Sequence, residues 1–141
     1  MGYFGKRDEE EKKNRFLDIL EMAFADGEIS DIETKVIDVI IKNIGLTQEE
    51  IDEIAKNPNA VKPTYPKTRE DKAYYFVDLI AVMIADGKMA EGQMEFCKVM
   101  AKKLGFNPYL IDDVAEILDK LEIDEITQEE FDEELSKILE F

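Results

Sequence analysis

Histidine and tryptophan are missing from this chain of 141 residues, and cysteine occurs once. Without histidine there is no Ser–His–Asp triad, no Cys–His pair, no HExxH zinc site and no imidazole base. A single cysteine forms no internal disulfide, which fits a reducing compartment. The chemistry that remains belongs to carboxylates, amides, hydroxyls and the hard cations that prefer oxygen ligands.

Positive charge is scarce, because 18 basic residues face 34 acidic ones and the net charge is −16. A basic face is needed for phosphate contacts, so nucleic acid is excluded as a partner. The excess is concentrated in residues 16–56, with a net charge of −8, and in residues 112–141, with −11. Acidic runs usually form a solvated surface, but these regions could also bind a basic protein partner or cations.

Long apolar runs are also missing. The longest nearly apolar stretch, Ala73–Ala85, has 13 residues and contains Asp78. It is too short to cross a bilayer, so it predicts a buried helix and no membrane insertion. The N-terminal residues show no signal-peptide pattern. We therefore expect a cytoplasmic protein, and the length and the hydrophobic content of 45% fit one compact domain with a real core.

An internal repeat organises the chain. A shift of 60 residues places Phe16–Ala55 on Phe76–Ala115 without a gap, and eleven of the forty pairs are identical. Most other apolar positions exchange for apolar ones. This pattern predicts a duplicated unit, with copies at about 16–56 and 76–116, whose halves pack around a pseudo-twofold axis.

Each copy is predicted to form three helices, because its apolar residues recur at helical spacing and its ends carry capping residues. Capping boxes are expected at Ser30 and Thr47 in the first copy. A proline-rich linker, residues 57–67, separates the copies, and an acidic C-terminal helix occupies 127–141. The predicted fold class is all-α, a single compact domain of about seven helices with no strand.

The most distinctive feature is the turn between the first two helices of each copy, which contains Ala-Asp-Gly at Ala25–Gly27 and Ala85–Gly87. Gly27 and Gly87 are predicted to adopt positive φ and end the preceding helix. Each turn matches part of an EF-hand loop, but apolar residues stand at the first two ligand positions, so an EF-hand is excluded. Helix capping explains the acidic residues of the first turn and explains the second less well, because Ala90 and Gln93 replace the best capping residues.

Two Ala-Asp-Gly turns in a duplicated, acidic, seven-helix chain resemble the tellurite-resistance TerB family and its TerB-like domains. The resemblance covers about Phe16 to Ala115. It implies a cytoplasmic, stress-associated protein that is not an enzyme, whose acidic turn residues bind metal ions or partners. Carried over, it nominates Asp26, Glu33, Asp86 and Glu91 for binding. Gln93 stands where a second glutamate would be expected.

Three functions follow as hypotheses. The first is a non-enzymatic interaction module of the TerB-like stress type whose acidic faces bind a protein partner. The second is a divalent-cation protein in which Asp26, Glu33 and Asp86 supply oxygen ligands to Ca²⁺ or Mg²⁺. The third and most remote is a carboxylate-based hydrolase that uses Asp78 together with Glu21 or Glu122.

Asp78 and its repeat mate Asp18 are expected to lie in different environments. Asp78 lies in the apolar stretch, so it could be a buried carboxylate with a raised pKa, but pairing with a lysine or capping of a neighbouring helix is expected more often. Asp18 falls opposite the apolar stripe of its own helix, so solvent exposure is expected there. Cys97 replaces Ile37 between the copies and is expected in the core.

Overall fold

The computed structural model describes residues 9–25, 27–85, 87 and 90–141. Within those residues the chain forms seven α-helices and no strand, which confirms the all-α prediction. The helices are α1 (Glu9–Ala23), α2 (Asp31–Ile44), α3 (Gln48–Lys56), α4 (Arg69–Ile84), α5 (Glu91–Leu104), α6 (Ile111–Glu122) and α7 (Gln128–Leu139). A short 3₁₀ turn at Pro58–Ala60 lies within the linker, and another at Pro108–Leu110 precedes α6. In the described part of the chain, no helix has both the length and the apolarity needed to cross a membrane.

Local sequence signals set the helix boundaries. Three capping boxes are present at the starts of α2, α3 and α7, where they join Ser30 to Glu33, Thr47 to Glu50 and Thr127 to Glu130. In each box the two residues satisfy each other's backbone N–H groups, which would otherwise lack partners at a helix N-terminus. Ala90 precedes α5 in the N-cap position and provides no side-chain cap, as the loss of the capping residue in the second copy predicts.

α4 is the central helix. It packs against α1, α2, α5, α6 and α7, and this environment explains why Ala73–Ala85 is apolar on nearly every side. Leu79, Ile80 and Val82 on α4 are fully buried in the core. Cys97 on α5 is also buried there, as expected, and burial raises the pKa of its thiol to about 12.

α1 was predicted to bury one apolar face, but in the structure two of its faces are buried. The apolar face carries Phe16 and Ile19 into the core, but Phe24 at its end is largely exposed. The opposite face, where Asp18 was expected in solvent, packs on α4, and Asp18 is buried there. The expectation for Asp18 is therefore wrong, because α4 brings Tyr75 as a hydrogen-bond donor to its carboxylate.

The helices follow one another in the same order in both halves of the chain. α1, α2 and α3 cover the first predicted copy, and α4, α5 and α6 cover the second. α2 ends at Gly45 and α5 ends at Gly105, its repeat mate, and both glycines adopt left-handed φ, at 87° and 84°. α1 packs against α4, its repeat mate, at the centre of the molecule.

Candidate interaction site

Glu33 is the only acidic turn residue of the predicted site that the described structure places in the interior, with 2% of its surface exposed. Its Oε1 accepts the Ser30 N–H at 3.1 Å, and its Oε2 accepts Gln93 Nε2 at 2.8 Å. Gln93 is its repeat mate on α5 and is equally buried. The Glu33 carboxylate thus joins the start of α2 to the start of α5, and each of its oxygens has a protein donor.

The remaining residues of the predicted site are divided between surface positions and positions outside the described residues. Asp26 and Asp86 lie outside the described residues. Glu91 is exposed at the first position of α5. Gly27 and Gly87 adopt positive φ, at 95° and 77°, as predicted for the two turns.

The carboxylates that the structure does describe form no metal centre. Across residues 9–25, 27–85, 87 and 90–141, no three Asp, Glu, Cys or His side chains come together in a group that could hold an ion. The prediction of a Ca²⁺ or Mg²⁺ site therefore depends on Asp26 and Asp86, whereas Glu33 already has hydrogen-bond donors on both oxygens.

Asp78 forms an ion pair with Arg15, which donates from Nη2 to Asp78 Oδ2. The same nitrogen lies 3.2 Å from the Tyr74 carbonyl oxygen, so the guanidinium joins α1 to α4 at two points. Burial raises the pKa of Asp78, and the positive charge of Arg15 opposes that rise. The expected pairing is thus present, with an arginine in place of a lysine, and it accounts for Asp78 without a catalytic role. Glu21 is exposed.

A second polar cluster lies between α1 and α4. Asn14 Nδ2 donates to the Tyr75 hydroxyl oxygen at 3.0 Å, and that hydroxyl donates to Asp18 Oδ2 at 2.5 Å. Burial raises the pKa of Asp18, and the Tyr75 hydrogen bond opposes the rise. The Arg15 guanidinium lies 5.3 Å from the centre of the Tyr75 ring, within the range of a cation–π contact. Buried polar groups with partners of this kind fix the relative position of two helices.

An open groove of about 590 Å³ lies along α4, next to the Arg15–Asp78 pair. Tyr74, Val77 and Ala81 of α4 form its floor. One wall is formed by α2, with Lys35, Val36, Val39, Ile40 and Asn43, and the other by α6 and α7, with Leu118, Leu121, Glu122, Gln128 and Phe131. Lys35 is the one basic residue of this lining. Val39 in this wall is 58% exposed. We call this cavity the α4 groove.

Acidic surface surrounds the α4 groove on two sides. A smaller polar pocket shares Tyr74 and Asp78 with it and contains Glu11, Arg15 and Asp71. A shallow depression on the other side also includes Tyr74 and is lined by Glu70, Glu129, Asp132 and Glu133 beside one lysine. The acidic side chains of residues 112–141, a region with a net charge of −11, are nearly all exposed on α6, α7 and the turn between them. An apolar cavity with this surrounding charge favours a ligand that is apolar and positively charged.

The α4 groove could not be found from the sequence because its α2 wall has the pattern of a core helix. Val36, Ile37, Val39, Ile40 and Ile41 cover more of the helix circumference than one buried face requires. Ile37 and Ile40 enter the core, and Val39 stays exposed. The width of the apolar surface of α2 was the one sequence signal that part of this surface stays uncovered.

Comparison with protein-family models gives no match for this chain, and searches among curated proteins and solved structures give none either. The likeness to the TerB family accordingly rests on the two Ala-Asp-Gly turns and the helical repeat.

Proposed function

We propose that this chain is a non-enzymatic interaction module of the TerB-like, stress-associated type, and that it binds a basic, apolar segment of a partner protein in the α4 groove. The observation that carries the proposal is the groove itself, an open apolar cavity whose α2 wall presents Val39 to solvent. Exposed apolar surface with a polar rim is typical of sites where proteins interact.

The charge of the surroundings supports a basic partner. Glu70, Glu129 and Glu133 lie beside the groove, and their charges are exposed on the same side of the molecule as the α6–α7 wall. Such a field accelerates the approach of a positively charged segment and disfavours an acidic one. Binding should therefore weaken as salt rises, because exposed charges are screened within about 8 Å at physiological ionic strength.

The proposal includes a cytoplasmic location. The single cysteine is buried as a free thiol in the core, where a reducing compartment would leave it unchanged. No step of the proposed function needs a covalent reaction or a metal, because the partner would be held by apolar contact and charge complementarity.

A random peptide library displayed on phage tests this proposal. Val39→Lys adds bulk and positive charge at the groove, and Val99→Lys makes the same change at the repeat mate, which is 49% exposed and does not line the groove. We expect selected peptides to be rich in lysine, arginine and apolar residues, to bind the Val99→Lys variant like the unmodified protein, and to bind Val39→Lys at least tenfold more weakly.

Two results would overturn the proposal. One is a selection that yields no enrichment over the starting library. The other is a set of peptides that binds Val39→Lys and the unmodified protein with equal affinity, because such peptides would occupy another surface. The two variants carry the same charge, so a difference between them reports on the groove and not on net charge.

A further inference from the structure

We infer that residues 1–8 of this chain, Met-Gly-Tyr-Phe-Gly-Lys-Arg-Asp, occupy the α4 groove of their own molecule until a partner displaces them. This inference rests on the proposed function, because it concerns the regulation of the same site. The segment precedes α1 and lies outside the described residues. Its composition is the one that the groove favours, since an aromatic pair, Tyr3 and Phe4, is followed closely by a basic pair, Lys6 and Arg7.

The start of α1 brings this segment to one end of the groove. α1 begins at Glu9, and Glu11 in its first turn lines the polar pocket beside the groove. Three further residues of that pocket, Asn43, Tyr74 and Asp78, also line the groove. The pocket and the groove therefore adjoin, and the segment joins the described chain next to the residues that they share.

The segment is long enough to reach the apolar part of the groove. An extended chain advances about 3.4 Å per residue, so the stretch from Glu9 back to Phe4 spans up to about 17 Å. On α2, Val39 is one turn from Asn43, which corresponds to about 6 Å along the helix. About 11 Å then remains for the path from α1 to Asn43, which lines the same pocket as the first turn of α1.

The charge at this end of the groove matches the basic pair. The pocket beside the first turn of α1 is lined by three carboxylates, Glu11, Asp71 and Asp78, and by one cation, Arg15, which pairs with Asp78. Negative charge therefore exceeds positive charge where the segment meets α1. Only Asp8 separates the basic pair from α1, so this excess of negative charge attracts the basic pair.

The far end of the groove carries the opposite charge. Lys35, the one basic residue of the described lining, lies about 12 Å along α2 from Asn43. Between them lies the exposed apolar surface of Val39. A ligand that enters from the Asn43 end should thus present positive charge first and aromatic surface next, with no cation beyond. The segment has this order, because its aromatic pair follows its basic pair on the way from α1, and the side chains of Met1 and Gly2 are uncharged.

Attachment to the same chain makes a weak contact sufficient. A short connection gives a tethered segment an effective concentration of about 1 mM. A segment whose dissociation constant is about 0.1 mM when untethered would then fill about nine grooves in ten. A partner could bind only the remaining tenth, so its apparent affinity would be lowered about tenfold. The segment would thus act as an internal competitor.

A spin label at residue 2 locates the segment in the free protein. Gly2→Cys supplies a thiol for a nitroxide, and Cys97 does not compete for the label because it is fully buried. The nitroxide broadens the methyl signals of nearby side chains. We expect it to broaden the signal of Val39 in the groove and to leave the signal of Val99, its exposed repeat mate, sharp. Replacing both residues of the aromatic pair by serine should abolish the broadening.

Peptide affinity measures the competition. A peptide selected from the phage library is labelled for fluorescence anisotropy and titrated into the full chain, Tyr3→Ser/Phe4→Ser and Phe24→Ser. The last variant is the control, because Phe24 is an aromatic residue at the end of α1 that is 56% exposed and does not line the groove. We expect Tyr3→Ser/Phe4→Ser to bind the peptide about tenfold more tightly than the full chain, and Phe24→Ser to bind it with unchanged affinity.

Three results would overturn the inference. One is an unbroadened Val39 signal, or equal broadening at Val99. The second is broadening between spin-labelled and isotope-labelled molecules in a mixture that is as strong as within one molecule, because the segment would then occupy the groove of a second copy. The third is an equal affinity of the peptide for the full chain and Tyr3→Ser/Phe4→Ser.

The proposed function is tested separately by the same measurements. If the label leaves Val39 sharp but the selected peptides bind the full chain and lose affinity for Val39→Lys, the groove is an interaction site and only the inference is wrong. If the label broadens Val39 but no peptide binds even Tyr3→Ser/Phe4→Ser, the segment is a fixed part of the fold and the proposed function is overturned.

Discussion

Replacing Gln93 by glutamate would put two carboxyl groups face to face in the interior, where the structure now holds one carboxylate and one amide. Glu33 Oε2 lies 2.8 Å from Gln93 Nε2, and both residues are 2% exposed. Two carboxylates at this distance cannot both be ionised without great cost, so one must keep its proton. The protonated glutamate could then donate to Glu33 as the amide does now.

The cost of keeping that proton can be calculated from the ordinary glutamate pKa in the unfolded chain, about 4.3. Each pH unit above that value costs about 1.4 kcal/mol, so Gln93→Glu should destabilise the protein by about 4 kcal/mol at pH 7.5 and by about 1.6 kcal/mol at pH 5.5. The sign follows from the linkage: the folded-state pKa is raised, so stability is present at low pH and is lost as pH rises towards that pKa.

Urea unfolding at pH 5.5, 6.5 and 7.5 measures this loss. Asn59→Asp is the matched control, because it adds one negative charge at an exposed position of the 3₁₀ turn within the linker. The control should change the free energy of unfolding by less than about 0.5 kcal/mol at every pH. A loss for Gln93→Glu that stays constant over these two pH units would refute the argument, because it would mean that the new carboxyl group reaches water or that no proton is shared.

Three further variants test the polar contacts between α1, α4 and the linker, each by urea unfolding. Arg15→Met should cost about 2 kcal/mol at pH 7.5 and less at pH 5.5, because Asp78 would lose the cation that it pairs with. The Asp78 side chain is 23% exposed, which keeps the loss below that of a fully buried pair. An equal loss at both pH values would contradict this reasoning. Asp18→Asn should stabilise the protein at pH 7.5, because burial raises the pKa of Asp18 and the amide can still accept the Tyr75 hydroxyl. That advantage should be lost as pH falls to the ordinary aspartate pKa of about 3.9, and a variant that is less stable at pH 7.5 would refute the reasoning. Tyr65→Ala should cost about 1–2 kcal/mol, because the half-buried ring leaves Tyr75, and an unchanged midpoint would show that the linker is not held on α1.

The helices could be predicted because their signals are local. Ser30 and Glu33 are three residues apart, so the capping box that starts α2 can be recognised from four consecutive residues. Gly45 and Gly105 end α2 and α5 in left-handed conformations for the same reason. The apolar period then fixes which stretches become helices, and tertiary contacts are not needed for that step.

The polar interior could not be predicted, because its partners are distant in the sequence. Arg15 and Asp78 are 63 positions apart, and Asp18 and Tyr75 are 57 apart. The periodicity of α1 identifies one apolar face and assigns Asp18 to solvent. In the structure the opposite face packs on α4, and its polar side chains are buried there. The repeat held usable information that this assignment ignored, because Asp18 is the repeat mate of Asp78, which lies in the predicted buried helix.

The α4 groove was missed for a related reason. A helix pattern shows how wide the apolar strip of α2 is, but only the placement of α4, α6 and α7 decides which part of that strip is covered. Cation binding by Asp26 and Asp86, the aspartates of the two Ala-Asp-Gly turns, stays a prediction. Calorimetric titration with millimolar Ca²⁺ and Mg²⁺ checks that prediction, and an absence of saturable heat would contradict it.

The most direct test of the interaction module is a methyl NMR titration of the full chain with the peptide most strongly selected from the phage library. The account predicts that the signals of Val36, Val39 and Leu121, which line the α4 groove, shift with one saturable binding curve. It also predicts that the signal of Val99, the exposed repeat mate of Val39, stays in place. Shifts centred on Val99, or an unchanged spectrum at saturating peptide, would contradict the assignment of the groove as the binding site.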